Sequence, residues 1–271
     1  MKEVEWMIHD QHVHSRYSID SKQELEPMVI LAMKNKAKYF ITCDHVDFDL
    51  ISDHSDWVVD FEKYDQEIEL LKNKYPMITF LKGVELGYRK DRLEKMKEIL
   101  KRRFDLVNLS IHDNGIIDYY RVQYFVDNPD KVMNIYLDNI IEALENFDDF
   151  DCLSHMDYGF KTYKLYNKEA DFFIYQEKIV KIMKMLILKD KTLEINIKVQ
   201  SMINDESFNH LKALLRLYKS LGGKNISLSS DSHVIDTYMK DFSTYMKIIK
   251  ECGFDYLCYY VNREKHLYYI K

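Results

Sequence analysis

Short runs of β-branched and aromatic residues alternate with longer stretches rich in Lys, Glu and Leu along nearly the whole chain, and this alternation limits the possible folds more than any other feature. The apolar runs are Trp6–His12, Tyr39–Cys43, Ile78–Leu86, Leu106–Ile111, Asp151–His155, Thr192–Ile197, Ile226–Ser230 and Tyr256–Val261. Between them, Leu25–Lys36, Asp60–Lys74, Arg89–Arg103, Lys131–Phe147, Lys168–Lys189, Glu206–Leu221 and Asp236–Cys252 carry apolar residues at three- and four-residue spacing, which predicts amphipathic helices. Strands joined by helices of that length run parallel, so the expected class is α/β, either a β/α barrel or an open doubly wound sheet. No GxGxxG or GxxxxGK(S/T) follows the first strand, which removes the usual reason to choose a nucleotide-binding open sheet. A barrel of seven or eight strands is the expectation.

Nothing in the sequence divides this barrel. The 271 residues contain no internal repeat, no low-complexity segment and no Pro/Gly/Ser linker, so a single domain over residues 1–271 is expected. With 46% apolar and 14% aromatic residues, the chain has ample material for a core, which excludes intrinsic disorder. Against 45 Asp+Glu stand 39 Lys+Arg, a net charge of −6, and the basic residues are dispersed; duplex nucleic acid is therefore not an expected partner. The strongly apolar stretches, such as Met183–Leu188, fall far short of the roughly 20 residues a bilayer span needs, and no membrane association is expected. The opening residues lack the basic and apolar regions of a secretory signal, so the expected compartment is the cytoplasm. Cys43, Cys152, Cys252 and Cys258, without CxxC spacing, read as reduced thiols.

The histidines are placed selectively. Of the ten, His12, His14, His45, His112, His155 and His233 fall at or just past the C-terminal end of a predicted strand, and Glu85 and Asp231 occupy equivalent positions. In a β/α barrel those ends converge on one face. His12 and His14 share a strand face about 7 Å apart, and a bend at the strand end would bring both imidazoles to one ion. Alone, that pair could be two polar residues on a solvated face, Glu85 a surface or capping carboxylate and Asp231 the N-cap of the next helix. Six strand ends with the same kind of residue argue instead for a polynuclear metal centre. His9, His54, His210 and His266 lack this placement and read as surface or packing residues, and Cys43 reads as buried. Asp44 and Asp157 are candidates for holding ligands in place or for proton transfer. Ser232 beside His233 lacks the GxSxG elbow of a serine nucleophile.

The same segments carry a resemblance. DQHVHS at Asp10–Ser15, TCDH at Thr42–His45, GVELG at Gly83–Gly87, SIH at Ser110–His112, SHMD at Ser154–Asp157, LEIN at Leu193–Asn196 and SDSH at Ser230–His233 follow one another in an order that resembles the polymerase and histidinol phosphatase (PHP) family, and within it the histidinol-phosphatase branch. The resemblance implies a distorted (β/α)7 TIM-like barrel with two or three divalent ions at the C-terminal ends of the strands. It implies a first ion on His12, His14, Glu85 and Asp231, and a second on Glu85, His112 and His155, with Glu85 bridging. The third would take His45, His233 and Asp20, where some members have His. Lys161 and Lys198 stand where histidinol-phosphatase relatives tend to show arginine, and would offer a phosphate charge without a planar fork.

The activity so implied is hydrolysis of a phosphate monoester, most nearly L-histidinol phosphate in histidine biosynthesis, by attack of a hydroxide shared between two ions on phosphorus. Imidazole and carboxylate without thiolate suit Zn²⁺, Mn²⁺ or Fe²⁺ alike. Another small phosphate ester or a phosphotyrosine peptide would keep the chemistry and change the substrate. A non-catalytic metal-binding protein would keep the site without turnover. A metal-dependent amidohydrolase would use a bridging lysine, and no lysine stands as Glu85 does.

Overall fold

Apolar runs bounded by polar turns pair here with their sequence neighbours. In the computed structural model, which describes residues 8–51, 54–119, 128–166, 168, 171–203 and 207–271, the strands are β1 (Tyr39–Phe40), β2 (His45–Leu50), β3 (Ser55–Trp57), β4 (Thr79–Phe80), β5 (Gly83–Gly87), β6 (Leu106–Ser110), β7 (Cys152–Leu153), β8 (Thr192–Asn196), β9 (Ile226–Ser229), β10 (Tyr256–Val261) and β11 (Glu264–Tyr269). Seven form one sheet in the order β3-β2-β5-β6-β7-β8-β9, every pair parallel except β3 against β2. β1 and β4 pair in parallel and lead directly into β2 and β5, with Gly83 N–H donating to the Thr42 carbonyl (2.9 Å) and Glu85 N–H to that of Asp44 (3.1 Å). Gly83 permits this approach: a Cβ there would lie 2.2 Å from Cys43 Sγ. Cys43 is fully buried, as its alternation predicts.

The helices pack around this sheet. α1 (Leu25–Lys34), α2 (Phe61–Lys74), α3 (Leu93–Ile99), α4 (Pro129–Asn146), α5 (Lys161–Leu165), α6 (Gln176–Leu188), α7 (Ile197–Ile203), α8 (Asn209–Ser220) and α9 (Phe242–Glu251) cover most of the predicted helical stretches. Starts follow local chemistry: Asn128 caps α4 by accepting from Asp130 N–H, with Pro129 in its first turn, and Asp60 accepts from Lys63 N–H at the start of α2. The inward face of α4 buries Val132, Met133, Tyr136, Leu137, Ile140 and Leu144 at the predicted spacing. Lys168–Lys189 does not form one helix; a 3-10 turn over Phe172–Tyr175 precedes α6. Arg89–Arg103 shortens to a 3-10 turn and α3, and the Arg89 guanidinium is tied to Asp91, Asp113 and the Asp49 carbonyl. No described helix is long and apolar enough to cross a membrane.

The first expected strand is the main departure. Part of Trp6–His12, and the first residue of the expected helix from Glu206, lie outside the described residues. Residues 8–12 form no regular ladder; instead Val13 makes one parallel bridge to Ser232. Asp231 N–H donates to the His12 carbonyl (2.8 Å), His14 N–H to that of Ser232 (2.9 Å) and Cys43 N–H to that of Val13 (2.9 Å). The segment thus runs between the two ends of the sheet, but isolated bonds are not a ladder. What forms is an α/β fold around a central, mostly parallel sheet; the closed TIM-like ring expected from the alternation is not assigned as continuous strands among the described residues.

Candidate metal centre

Glu85 is the hub. It sits in the middle of β5, in register with His45 on one side and Asn108 on the other, and is 1% exposed. Five imidazoles surround its carboxylate: His12 Nε2 (3.2 Å), His14 Nε2 (3.4 Å) and His45 Nδ1 (3.0 Å) face Oε2, while His112 Nε2 (3.2 Å) and His155 Nε2 (2.8 Å) face Oε1. Ser110 Oγ donates to Oε1 at 2.5 Å. The strand order explains the convergence: His45 opens β2 in register with Glu85, His112 and His155 follow the ends of β6 and β7, and His12 and His14 flank the bridge of Val13 to Ser232.

Two further carboxylates complete the predicted set. Asp231 Oδ1 lies 3.1 Å from His14 Nε2 and 3.3 Å from His233 Nδ1. Asp20 Oδ2 lies 3.1 Å from His233 Nε2 and 3.6 Å from His45 Nε2. His155 (φ 27°) and Asp231 (φ 51°) hold left-handed backbone, which costs of order 1–3 kcal/mol at a non-glycine residue and concentrates at functional sites. All nine predicted metal-facing residues therefore meet in one region.

Sequence reasoning missed two acids that belong to the same constellation. Glu194, in β8, accepts from His12 Nδ1 (2.6 Å), His155 N–H (2.8 Å), Asn196 Nδ2 (3.1 Å) and Ser229 Oγ (2.6 Å). Asp47 Oδ1 meets His112 Nδ1 at 3.0 Å, and Asp47 Oδ2 lies 3.4 Å from His45 Nδ1. Period-two alternation signals both: Asp47 is two residues past His45, and Glu194 two before Asn196, on the same strand faces.

The shifts of these groups share one cause. Burial pushes the Glu85 and Asp231 carboxyls up, yet nearby cations, the imidazoles and, at Asp231, Lys198, overcome that and hold both well below the usual range. Burial pulls His12 and His45 down, but the carboxylates around each raise them; His112, beside Asp47 and Glu85, rises to about 9. His14 goes the other way, lowered by burial and by His233 and His45.

The donor set fits divalent cations. Four triplets of mutually close ligand atoms occur among the described residues: His12, His14 and Asp231; Glu85, His112 and His155; His14, His45 and His233; and His45, Asp47 and His112. His12 Nε2, His14 Nε2 and His45 Nδ1 are buried without a hydrogen-bond partner, as are Asp20 Oδ1 and Asp47 Oδ2. Unmatched imidazole nitrogens facing carboxylates suit Zn²⁺-like ions better than they suit an ion-free core.

A cavity of about 610 Å³ opens over the centre. Its rim includes Lys161 and Lys198 beside Asp231, with Leu50, Trp57, Leu165 and Met202 as apolar wall. Lys198 Nζ lies 3.0 Å from His233 Nδ1 and 3.4 Å from Asp231 Oδ1. Lys161 Nζ stands 3.4 Å from the centroid of the Tyr158 ring, and burial, then Lys198, pushes its ammonium well below the usual range. Asp44 and Asp157 do not line this cavity. Asp44 accepts from Ser15 N–H, Ser15 Oγ, Ser18 Oγ and Thr42 Oγ1, and Asp157 from Gln200 Nε2.

Of the histidines left aside, His9 is buried between Tyr39 and Tyr259, and His266 stacks on Tyr259. His210 packs against Phe160 and Phe172, 3.6 Å from Asp157. His54 is exposed.

Comparison with known proteins places this geometry. The PHP domain family matches residues 10–198. A probable histidinol-phosphatase of Clostridium acetobutylicum is 28% identical over 249 residues, covering 91% of this chain and 94% of the relative. The histidinol-phosphatase of Lactococcus lactis subsp. lactis is 26% identical over 249 residues, covering 90% of this chain and 91% of the relative. The crystal structure of histidinol phosphate phosphatase from that organism, complexed with zinc, L-histidinol and phosphate, superposes with a TM-score of 0.85 at 24% identity, covering 97% of this chain and 100% of the other. The superposition shows a shared fold.

Proposed function

This chain belongs to the PHP domain family, and from that premise we propose that it is a metal-dependent phosphomonoesterase acting on L-histidinol phosphate, releasing L-histidinol and phosphate. The observation that carries the reading is the meeting of nine predicted ligand-type residues, Glu85 among them, in one region beneath a cavity with two lysines at its rim. The relatives named histidinol-phosphatase and the zinc, histidinol and phosphate bound by the Lactococcus protein support the substrate class.

Two or three divalent ions, Zn²⁺, Mn²⁺ or Fe²⁺, would be held by His12, His14, Glu85 and Asp231, by Glu85, His112 and His155, and by Asp20, His45 and His233. Bound there, such ions acidify water and neutralise phosphoryl oxygens. The chain's own groups do the rest. Lys161 and Lys198 bind the phosphate, and the apolar wall orients the organic part of the ester. Asp44 clamps the 15–18 turn that positions His14, and Asp157, which accepts from Gln200 outside the cavity, is left a positioning part rather than proton delivery. The fold reads as a distorted (β/α)7 barrel closed through the segment around Val13, and the protein as a cytoplasmic enzyme of histidine biosynthesis.

Point-like ammonium groups at the rim, with Trp57, Leu50 and Leu165 beside them, favour a second reading with the same chemistry: another small or aryl phosphate ester, including phosphotyrosine. The test is turnover of a panel of phosphate esters with Zn²⁺, Mn²⁺ or Fe²⁺ supplied. Histidinol phosphate is expected to give the highest kcat/KM. Equal turnover of a generic aryl phosphate would overturn the substrate assignment, and no turnover of any ester would overturn the phosphatase reading itself.

A further inference from the structure

Asp47 stands outside the motif residues, yet it is built into the centre. It is 3% exposed, its Oδ1 meets His112 Nδ1 at 3.0 Å, and its Oδ2 has no hydrogen-bond partner and lies 3.4 Å from His45 Nδ1. On His112 the opposite nitrogen, Nε2, faces Glu85 (3.2 Å), whereas on His45 the Nδ1 near Asp47 lies closer to Glu85 (3.0 Å) and Nε2 faces Asp20 (3.6 Å). A ring can present one nitrogen to a cation only if the other holds the proton, and a carboxylate on that second nitrogen fixes the tautomer and raises the basicity of the first.

The space for this carboxylate comes from Gly87. A Cβ at that position would lie 1.8 Å from Asp47 Oδ1 and 2.8 Å from its Cγ, so no other residue at 87 leaves Asp47 where it is. The last glycine of GVELG is therefore explained by its neighbour on β2. Glu194 plays the matching part on the far side, where its Oε1 meets His12 Nδ1 at 2.6 Å and leaves His12 Nε2 toward Glu85.

We propose that Asp47, seated against Gly87, is the positioning residue that orients His112 through its Nδ1, and so supports the second ion position while leaving the first to Glu194. The inference rests on the metal reading above. It predicts a selective defect: loss of Asp47 weakens the ion that depends on His112, and spares the one on His12, His14 and Asp231.

The experiment is elemental analysis and cation titration of the full-length protein, wild type beside Asp47→Asn, Asp47→Glu, Asp47→Ala, Gly87→Ala and the Asp47→Ala/Gly87→Ala double variant. Far-UV circular dichroism monitors the fold, and the Co²⁺-substituted forms are read by visible absorption. Asp47→Asn, nearly isosteric, is expected to stay folded, to bind the weaker cations about 10- to 100-fold less tightly and to change the Co²⁺ spectrum, with partial recovery in Asp47→Glu. Gly87→Ala is expected to match this defect, and the double variant to be no worse than Asp47→Ala alone. Wild-type cation content and spectrum in a folded Asp47→Asn would overturn the proposal while leaving the metal reading standing. A wild-type protein that takes up no divalent cation would overturn both.

Discussion

The metal-free centre has a pH dependence that can be worked from its geometry. Burial pulls His112 down, but Asp47 and Glu85 outweigh it and raise the imidazole from the usual 6.5 to about 9. A group whose folded value is raised contributes stability that is fully present below the unfolded value and lost as pH climbs through the folded one. At about 1.4 kcal/mol per decade, His112 alone contributes about 3 kcal/mol that disappears between pH 6.5 and 9. His12 and His45, also raised, act in the same direction. His14 and His9, lowered, change the stability only below 6.5, and the raised Asp10 carboxyl, at about 6, has finished titrating by then. The lowered Lys161 ammonium works in the opposite direction, so the pH series is run on Lys161→Met. With about 2.1 cal/mol/K of unfolding entropy per residue over 271 residues, the expected fall in Tm across this window is about 5 °C or more.

Cation binding reverses the slope. Ligating imidazoles must be neutral, so bound ions replace protons and their stabilisation grows as pH rises. An ion present at a thousand times its Kd adds about 4 kcal/mol. The assay is scanning calorimetry of chelator-treated and reloaded protein at pH 6.5, 7.5 and 9. The reloaded protein should gain most at pH 9, and the gap between the two forms should widen steadily. A metal-free Tm of Lys161→Met that is flat or rises from pH 6.5 to 9 would refute the placement of His112 between Asp47 and Glu85.

Substitutions at three positions probe other links. Glu85→Gln should retain the far-UV spectrum yet lose turnover and most bound cation by elemental analysis, because five imidazoles lose their shared counter-charge. Lys198→Met should weaken inhibition by inorganic phosphate by about 1.5–3 kcal/mol, the worth of a charged hydrogen bond, whereas Lys198→Arg should keep most of it; competitive inhibition assays read both. Gly83→Ala forces a Cβ to 2.2 Å from Cys43 Sγ and 2.8 Å from the Thr42 carbonyl, and overpacking of that kind should cost about 1–3 kcal/mol in urea unfolding without changing cation content.

Much of this was legible beforehand because the two periodicities that organise the fold are local. Hydrophobic runs that stop at a polar residue are how His45, Glu85, His112 and Asp231 could be found without coordinates, although Glu85 lies inside β5 and His45 opens β2. The opening segment was not legible as it stands: its residues look like a strand, but at Val13 they are held by single bonds to Ser232 and Cys43 rather than by a ladder. Asp47 and Glu194 escaped notice for a different reason. Both sit inside strands, where an acidic residue usually marks a solvated face, and only the closed packing of the neighbouring segments turns that face inward.

Hydrogen-bond saturation separates the buried acids into two kinds, and the division follows their chemistry. A carboxylate has about four acceptor positions, and leaving them unmatched in a buried site costs more than burying a neutral group. Asp44 and Glu194 each meet four donors, so protein groups alone satisfy them. Asp20 and Asp47 each keep a buried oxygen with no donor, and Glu85 is answered by one hydroxyl and otherwise by imidazoles. Those imidazoles in turn leave nitrogens unmatched at His12, His14 and His45. Acceptors facing acceptors are tolerable only where a shared positive charge lies between them, a proton in the metal-free protein or a divalent cation in the loaded one. Asp44 and Glu194 are thus scaffolding and Glu85 and Asp20 face the ions, while Asp47 stands between the two kinds, with Oδ1 on His112 and Oδ2 unmatched, a distinction that strand-end position alone does not make.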